Sequence, residues 1–271
     1  MDPLLTNARM YAVTPDVERG WERLLGHVAK EADVPLRYLA YPAPQLLEAL
    51  WGRENLGMVF MCGYPIALRL APVTPIAAPI PSAAWAQGRP LYRTDLIVRQ
   101  DAPYQRLEDT FGGRAGYTVA HSHSGFNAFR HHLLSYRNPQ RPMLYGQMLG
   151  NLITARNILD SVREGRIDVG PLDAYWHALL ARHAPQRTSG VRVLESTAAA
   201  PIPALVAAST VPPATLERLR GALLSAADRP WFARLGNMLE LQGFAPVTEA
   251  TYSVLLDWAG EARAAGYDQP A

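Results

Sequence analysis

The stretch LRYLAYPAPQLLEALWGRENLGMVFM, residues 36–61, decides the fold class. Leu36 to Tyr41 reads as a strand, and Pro44 opens a helix that runs through Trp51 and ends at Gly52, the residue type that favours a helix C-terminus. Leu56 to Met61 is a continuous apolar run, the signature of a strand covered on both faces. Strand, helix and fully buried strand in so short a span predict a crossover unit and a parallel sheet.

Working outward, Ala8 to Val13 reads as a preceding strand. Thr14-Pro15 starts a helix whose Val17, Trp21, Leu24, Leu25 and Val28 fall on one face. The N-terminal part is therefore βαβαβ. From Pro72 to Pro90 the chain carries Pro72, Pro75, Pro79, Pro81 and Pro90, which excludes a helix and suits an edge strand or a crossing segment. Beyond it, Tyr92–Arg99, Arg114–Ala120, Ile167–Gly170, Val191–Leu194 and Leu205–Ser209 read as strands. A helical turn is expected at Leu107–Phe111. Helices are expected over Phe126–Tyr136, Ile153–Glu164, Leu172–His183, Pro213–Ala227, Trp231–Leu241 and Thr248–Ala264. A second Pro/Ala-rich connector follows Leu194 and mirrors the first. These two crossings predict two α/β lobes, one of residues 1–93 with 202–271 and one of residues 94–201, closing by hinge motion.

Composition narrows the function. The 271 residues are 49% hydrophobic, enough to bury a sizeable core. The 26 basic and 24 acidic residues leave a net charge of +2 with no basic run, which argues against nucleic acid as a partner. Lys30 is the only lysine, so chemistry built on a lysine elsewhere is excluded. Cys62 is the single cysteine, so no intramolecular disulfide forms. No stretch reaches the roughly 18 to 20 apolar residues of a membrane-spanning helix. Met1 to Arg9 lacks a charged segment followed by an apolar one, and the expectation is the mature form of an exported protein or a cytoplasmic one.

The segment most able to carry chemistry is His121-Ser122-His123-Ser124-Gly125-Phe126-Asn127, between a predicted strand and a predicted helix. The first turn of a helix leaves about four N–H groups unpaired at the positive end of its dipole, and serine hydroxyls there can either cap the helix or complete an anion site. A hydrolase built on these Ser and His residues with Asp173 fits less well, because neither serine has the two flanking glycines of a nucleophile elbow. The histidines lack the cysteines or paired carboxylates of a metal site. Asp173, where a strand turns into a helix, can cap that helix or face a ligand amine or hydroxyl, with Tyr175 or Trp176 as a wall. Cys62-Gly63-Tyr64-Pro65 closes the third strand at the carboxyl edge, where open α/β sheets bind ligands. Cys62 as a nucleophile would need exposure and a lowered pKa. Tyr11, Tyr64 and Tyr92 all fall at strand ends, where amphipathic rings suit either a cleft lining or the core.

Taken in order, Met10-Tyr11, the C-G-Y-P turn, Tyr92 leading into Leu96-Ile97-Val98, the S-x-S-G loop, E-G-R-x-D-V-x-x-x-D from Glu164 to Asp173, and Gly243-Phe244-Ala245-Pro246 resemble the phosphate/phosphonate-type substrate-binding components of ABC transporters. The resemblance covers nearly the whole chain. It implies the two-lobed type II periplasmic-binding fold with a ligand cleft between lobes, capture of a small phosphonate- or phosphate-like oxyanion without turnover, no cofactor, and the membrane subunits of a transporter as partners in the periplasm. It also implies that Ser122, Ser124 and the N–H groups of His123 and Gly125 hold the anionic oxygens, that Tyr92 assists, and that Asp173 corresponds to the acid that takes an amine. Where the family often shows G-S-H, with a ligand histidine, this chain reads Gly150-Asn151-Leu152-Ile153-Thr154-Ala155-Arg156, and Arg156 is the candidate clamp in its place. The competing readings are a hydrolase or transferase with Ser124 or Cys62 as nucleophile, and a ligand-sensing module of the same architecture.

Overall fold

The computed structural model describes residues 3–271 and divides the chain into two compact units, Met1–Tyr92 with Pro201–Ser253, and Arg93–Ala200 with Val254–Ala271.

The first unit is built on a six-stranded sheet in the order Leu241–Pro246, Val73–Pro81, Ala204–Ala208, Leu56–Met61, Leu4–Asn7, Leu36–Tyr38. Leu4–Asn7 pairs in parallel with both Leu36–Tyr38 and Leu56–Met61, so the expected βαβαβ half is present. Every residue of Leu56–Met61 is buried. Pro15–Glu31 is a helix whose start is fixed by Thr14, which accepts from the Val17 N–H at 3.3 Å, and whose apolar face of Val17, Trp21, Leu24, Leu25 and Val28 is fully buried.

Two expectations for this unit change. The first strand is Leu4–Asn7, ahead of the Ala8–Val13 segment expected to form it. Asn7 Oδ1 accepts from the Arg9 N–H at 2.8 Å and turns Arg9–Tyr11 into a short helical turn. The proline-rich Val73–Pro81 is an interior strand, flanked on both sides, and not an edge. Register shifts accommodate it: one lies between Leu205 and Val206, where Val206 faces Pro75, and another between Leu241 and Gly243, where Leu241 faces Pro81. Bulges relieve the hydrogen bonds that proline cannot donate.

The second unit holds a three-stranded antiparallel sheet, Val191–Ser196, Thr94–Arg99, Gly170–Asp173, and a parallel pair, Arg114–Gly116 with Gln147–Leu149. Its core gathers Leu96, Val98, Leu107, Ala115, Phe129, Leu133, Leu144, Tyr145, Val169 and Tyr267. The helix Val254–Ala264 belongs here, which corrects the assignment of 202–271 as a whole to the first lobe. Its Leu255 carbonyl accepts from Asn127 Nδ2 at 2.9 Å, and Trp258 stacks on His131 at 4.6 Å between ring centres. Among the described residues no helix is long and apolar enough to cross a membrane.

Candidate oxyanion site

The second unit brings the S-x-S-G loop to the start of a continuous helical run, His123–Asn127 wound one residue wider per turn and then Ala128–Leu133 as ordinary α-helix. Ser122 is its N-cap: the backbone is extended there, and Oγ accepts from the Gly125 N–H at 3.1 Å. That bond uses the oxygen as acceptor and leaves the hydroxyl proton to donate elsewhere. Ser122 and Ser124 are half-buried, whereas His123 and Gly125 are buried. The Ser124 carbonyl is tied down by Thr94 Oγ1 at 3.2 Å, and Thr94 sits opposite Asp173 in the sheet. A single threonine thus links the turn to the strand that ends in Asp173.

Asp173 is 8% exposed, and its Oδ1 accepts from the N–H groups of Tyr175 at 2.9 Å and Trp176 at 3.0 Å. The capping reading of this residue is realised, on a helix that runs Ala174–His183. Arg156 is exposed, two residues after the Thr154 cap of the helix Ala155–Arg163, and is within reach of the charges of Arg187 and Asp160. Partial burial, then the like charge of Arg187, lower its pKa.

His123 is enclosed. Its Nδ1 lies 3.3 Å from Asn127 Nδ2, and its ring centre is 5.3 Å from that of Trp258. Burial, reinforced by nearby His131, pushes its pKa down to about 3, so the ring stays neutral near pH 7. The donors the turn offers are therefore neutral: hydroxyls, N–H groups and the helix dipole.

Thr118, packed against the turn, was not singled out in reading the sequence. The expected strand Arg114–Ala120 stops at Gly116, and Thr118 enters the loop beneath the turn. Its N–H donates to the Gly125 carbonyl at 3.2 Å, and its own carbonyl accepts from the Ile153 N–H at 3.2 Å. Its side chain is 7% exposed, yet Oγ1 has no hydrogen-bond partner. A buried hydroxyl left so costs about 1–3 kcal/mol. A Cβ on Gly125 would lie 2.0 Å from Thr118 Oγ1 and 3.0 Å from Ser122 Oγ, so the bare glycine lets both hydroxyls crowd one side of the turn. The loop that clamps Thr118 is itself strained: Ile153, β-branched, has φ of 66° and Asn151 has φ of 55°. A hydroxyl residue four positions before the cap was visible in the sequence, but its burial was not.

The three tyrosines fall in the first unit and are buried. Tyr11 is 1% exposed and packs edge-on to Phe60 at 5.0 Å in a cluster with Trp21. Tyr64 lies in the short helix Gly63–Ala67, and Tyr92 OH is 3.9 Å from the sulfur of buried Cys62. Among the described residues, no group of three or more His, Cys, Asp or Glu is gathered that could hold a metal ion.

The family model for the phosphonate periplasmic substrate-binding protein of ABC transporters matches residues 12–252. The chain belongs to that family. Solved structures agree on the fold of these two-lobed α/β binding proteins. A binding protein component of an ABC phosphonate transporter from Pseudomonas aeruginosa is 14% identical, with 98% of this chain and 88% of that one covered and a TM-score of 0.78. PhnD1 from Prochlorococcus marinus, solved in complex with methylphosphonate, is 15% identical over 96% of this chain and 98% of its own, with a TM-score of 0.77. The periplasmic aliphatic sulphonate binding protein SsuA from Escherichia coli covers 100% of this chain and 90% of its own at 14% identity and a TM-score of 0.58. No curated protein sequence matches the chain.

Proposed function

We propose that this member of the phosphonate-binding family captures a small oxyanion, a phosphonate or phosphate, on the turn Ser122–Gly125, and delivers it in the periplasm to the membrane subunits of an ABC transporter. The observation that carries this reading is the turn itself: a serine-capped helix start with a second serine, Ser124, in its first turn, beside a histidine kept neutral. Family membership supports transport over catalysis. The buried position of Cys62 also speaks against its use as a nucleophile. Oxygens of the ligand would accept from Ser122, Ser124 and the first-turn N–H groups, replacing water at each.

The test is calorimetric titration of the purified protein with methylphosphonate, inorganic phosphate, methanesulfonate and acetate, alongside thermal unfolding with each. Saturable binding of the first or second is expected, with a rise in Tm at saturating ligand. Ser124→Ala should weaken that binding by roughly tenfold, the worth of one hydrogen bond to a charged oxygen. Heat and Tm unchanged by all four anions would sink the reading.

A further inference from the structure

We propose that Thr118 Oγ1 is a further donor of the oxyanion site, with a ligand oxygen as its partner. This rests on the reading of the turn as an oxyanion site and adds a residue that lies outside the S-x-S-G motif. Three independent features converge on it. The hydroxyl is buried and has no partner among the described residues. It sits on the same side of Gly125 as the Ser122 hydroxyl, at a spot that any side chain at position 125 would fill. Its backbone is pinned from both directions, by Gly125 and by the strained Ile153, so the hydroxyl cannot drift to find another acceptor.

The chemistry follows from the hydroxyl's inventory. Ser122 Oγ already accepts from the Gly125 N–H. Thr118 brings one proton with nothing to receive it, and a deprotonated phosphonate or phosphate oxygen is an acceptor of the right chemistry for it. Two other buried threonines of this unit do bond a carbonyl, Thr94 Oγ1 on Ser124 and Thr110 Oγ1 on Leu107 at 2.6 Å. Leaving one buried donor unsatisfied is the kind of local inconsistency that binding sites retain.

The experiment compares wild type, Thr118→Val and Thr118→Ser by calorimetric titration with methylphosphonate and with inorganic phosphate, and by thermal unfolding without ligand. Valine keeps the shape and removes the hydroxyl. Its Kd for the better of the two anions should rise by about tenfold or more, while its ligand-free Tm stays level or increases because an unsatisfied polar group has gone. Serine keeps the hydroxyl and should bind within about threefold of wild type, a loss smaller than that of one hydrogen bond to a charged oxygen. Equal affinity in wild type and the valine variant overturns the proposal while leaving the oxyanion reading intact. A fall in the ligand-free Tm of the valine variant, with Thr118→Ser at the wild-type Tm, shows that the hydroxyl is structural and also overturns it. Absence of binding in wild type removes the oxyanion reading and this inference together.

Discussion

Gly125 illustrates how one missing side chain sets the chemistry around it. Its N–H goes to Ser122 Oγ, its carbonyl takes the Thr118 N–H, and the space where a Cβ would project is occupied by the Thr118 hydroxyl at 2.0 Å. Contact that close cannot be absorbed by a small shift, because Thr118 is fixed by backbone bonds on both sides. Gly125→Ala is therefore expected to lower stability by about 1–3 kcal/mol, the usual cost of overpacking, and to weaken oxyanion binding as well. Urea unfolding and titration with methylphosphonate check the two effects. Stability equal to wild type would mean that the turn opens freely, contrary to the geometry. The S-x-S-G pattern exposed the serines and the glycine to a reading of the sequence. Thr118 stayed hidden because a threonine inside an expected strand is ordinary, and only the packed chain shows its oxygen without a partner.

Among the elements, the strand–helix joint at Asp173 is where two readings of one residue meet. Oδ1 accepts two first-turn N–H groups, and the strand Gly170–Asp173 hands its last residue directly to the helix that follows. Asp173→Ala should cost about 1–2 kcal/mol of stability through the lost cap, while Asp173→Asn, an equivalent capping residue, should retain most of it. Urea midpoints of the two variants separate these outcomes, and equal losses in both would show that the charge and not the cap matters. Elements were legible where local pattern and environment agree. Leu56–Met61 was read to the residue because a covered strand is apolar throughout, and Pro15 with Thr14 marked a helix start. The proline-rich segment was read as an edge strand or a crossing segment because the register shifts that let it sit inside a sheet, one with its extra residue at Ile76 and one with it on Leu241–Pro246, leave no mark in the sequence. The last helix was assigned to the wrong unit because its partners, Asn127 and His131, lie more than 120 residues earlier in the chain.

At the scale of the molecule, buried histidine makes stability depend on pH. His123 is neutral in the folded protein with its pKa pushed down to about 3, against an ordinary value of 6.5. Around it, Asn127 and Trp258 are uncharged, and His131, whose Nε2 is 2.7 Å from Glu261 Oε2, adds like charge. Between those two pKa values the unfolded chain binds a proton at position 123 that the folded chain does not. Stability is therefore full above about pH 6.5 and declines as pH falls, by roughly 1.4 kcal/mol per pH unit for one proton. His132, pushed down by burial against the pull of Glu195, contributes in the same direction. Both residues lie in the second unit, which also carries the Ser122–Gly125 turn, so acid acts first on that unit. Urea unfolding of wild type and His123→Gln at pH 7.5, 6.0 and 5.0 measures the difference, since glutamine keeps a polar group of similar reach and cannot be protonated. The variant is expected to lose stability less steeply than wild type by about one proton over the lower interval. Parallel curves would mean that the folded protein protonates His123 readily, and that its ring is not held neutral by burial.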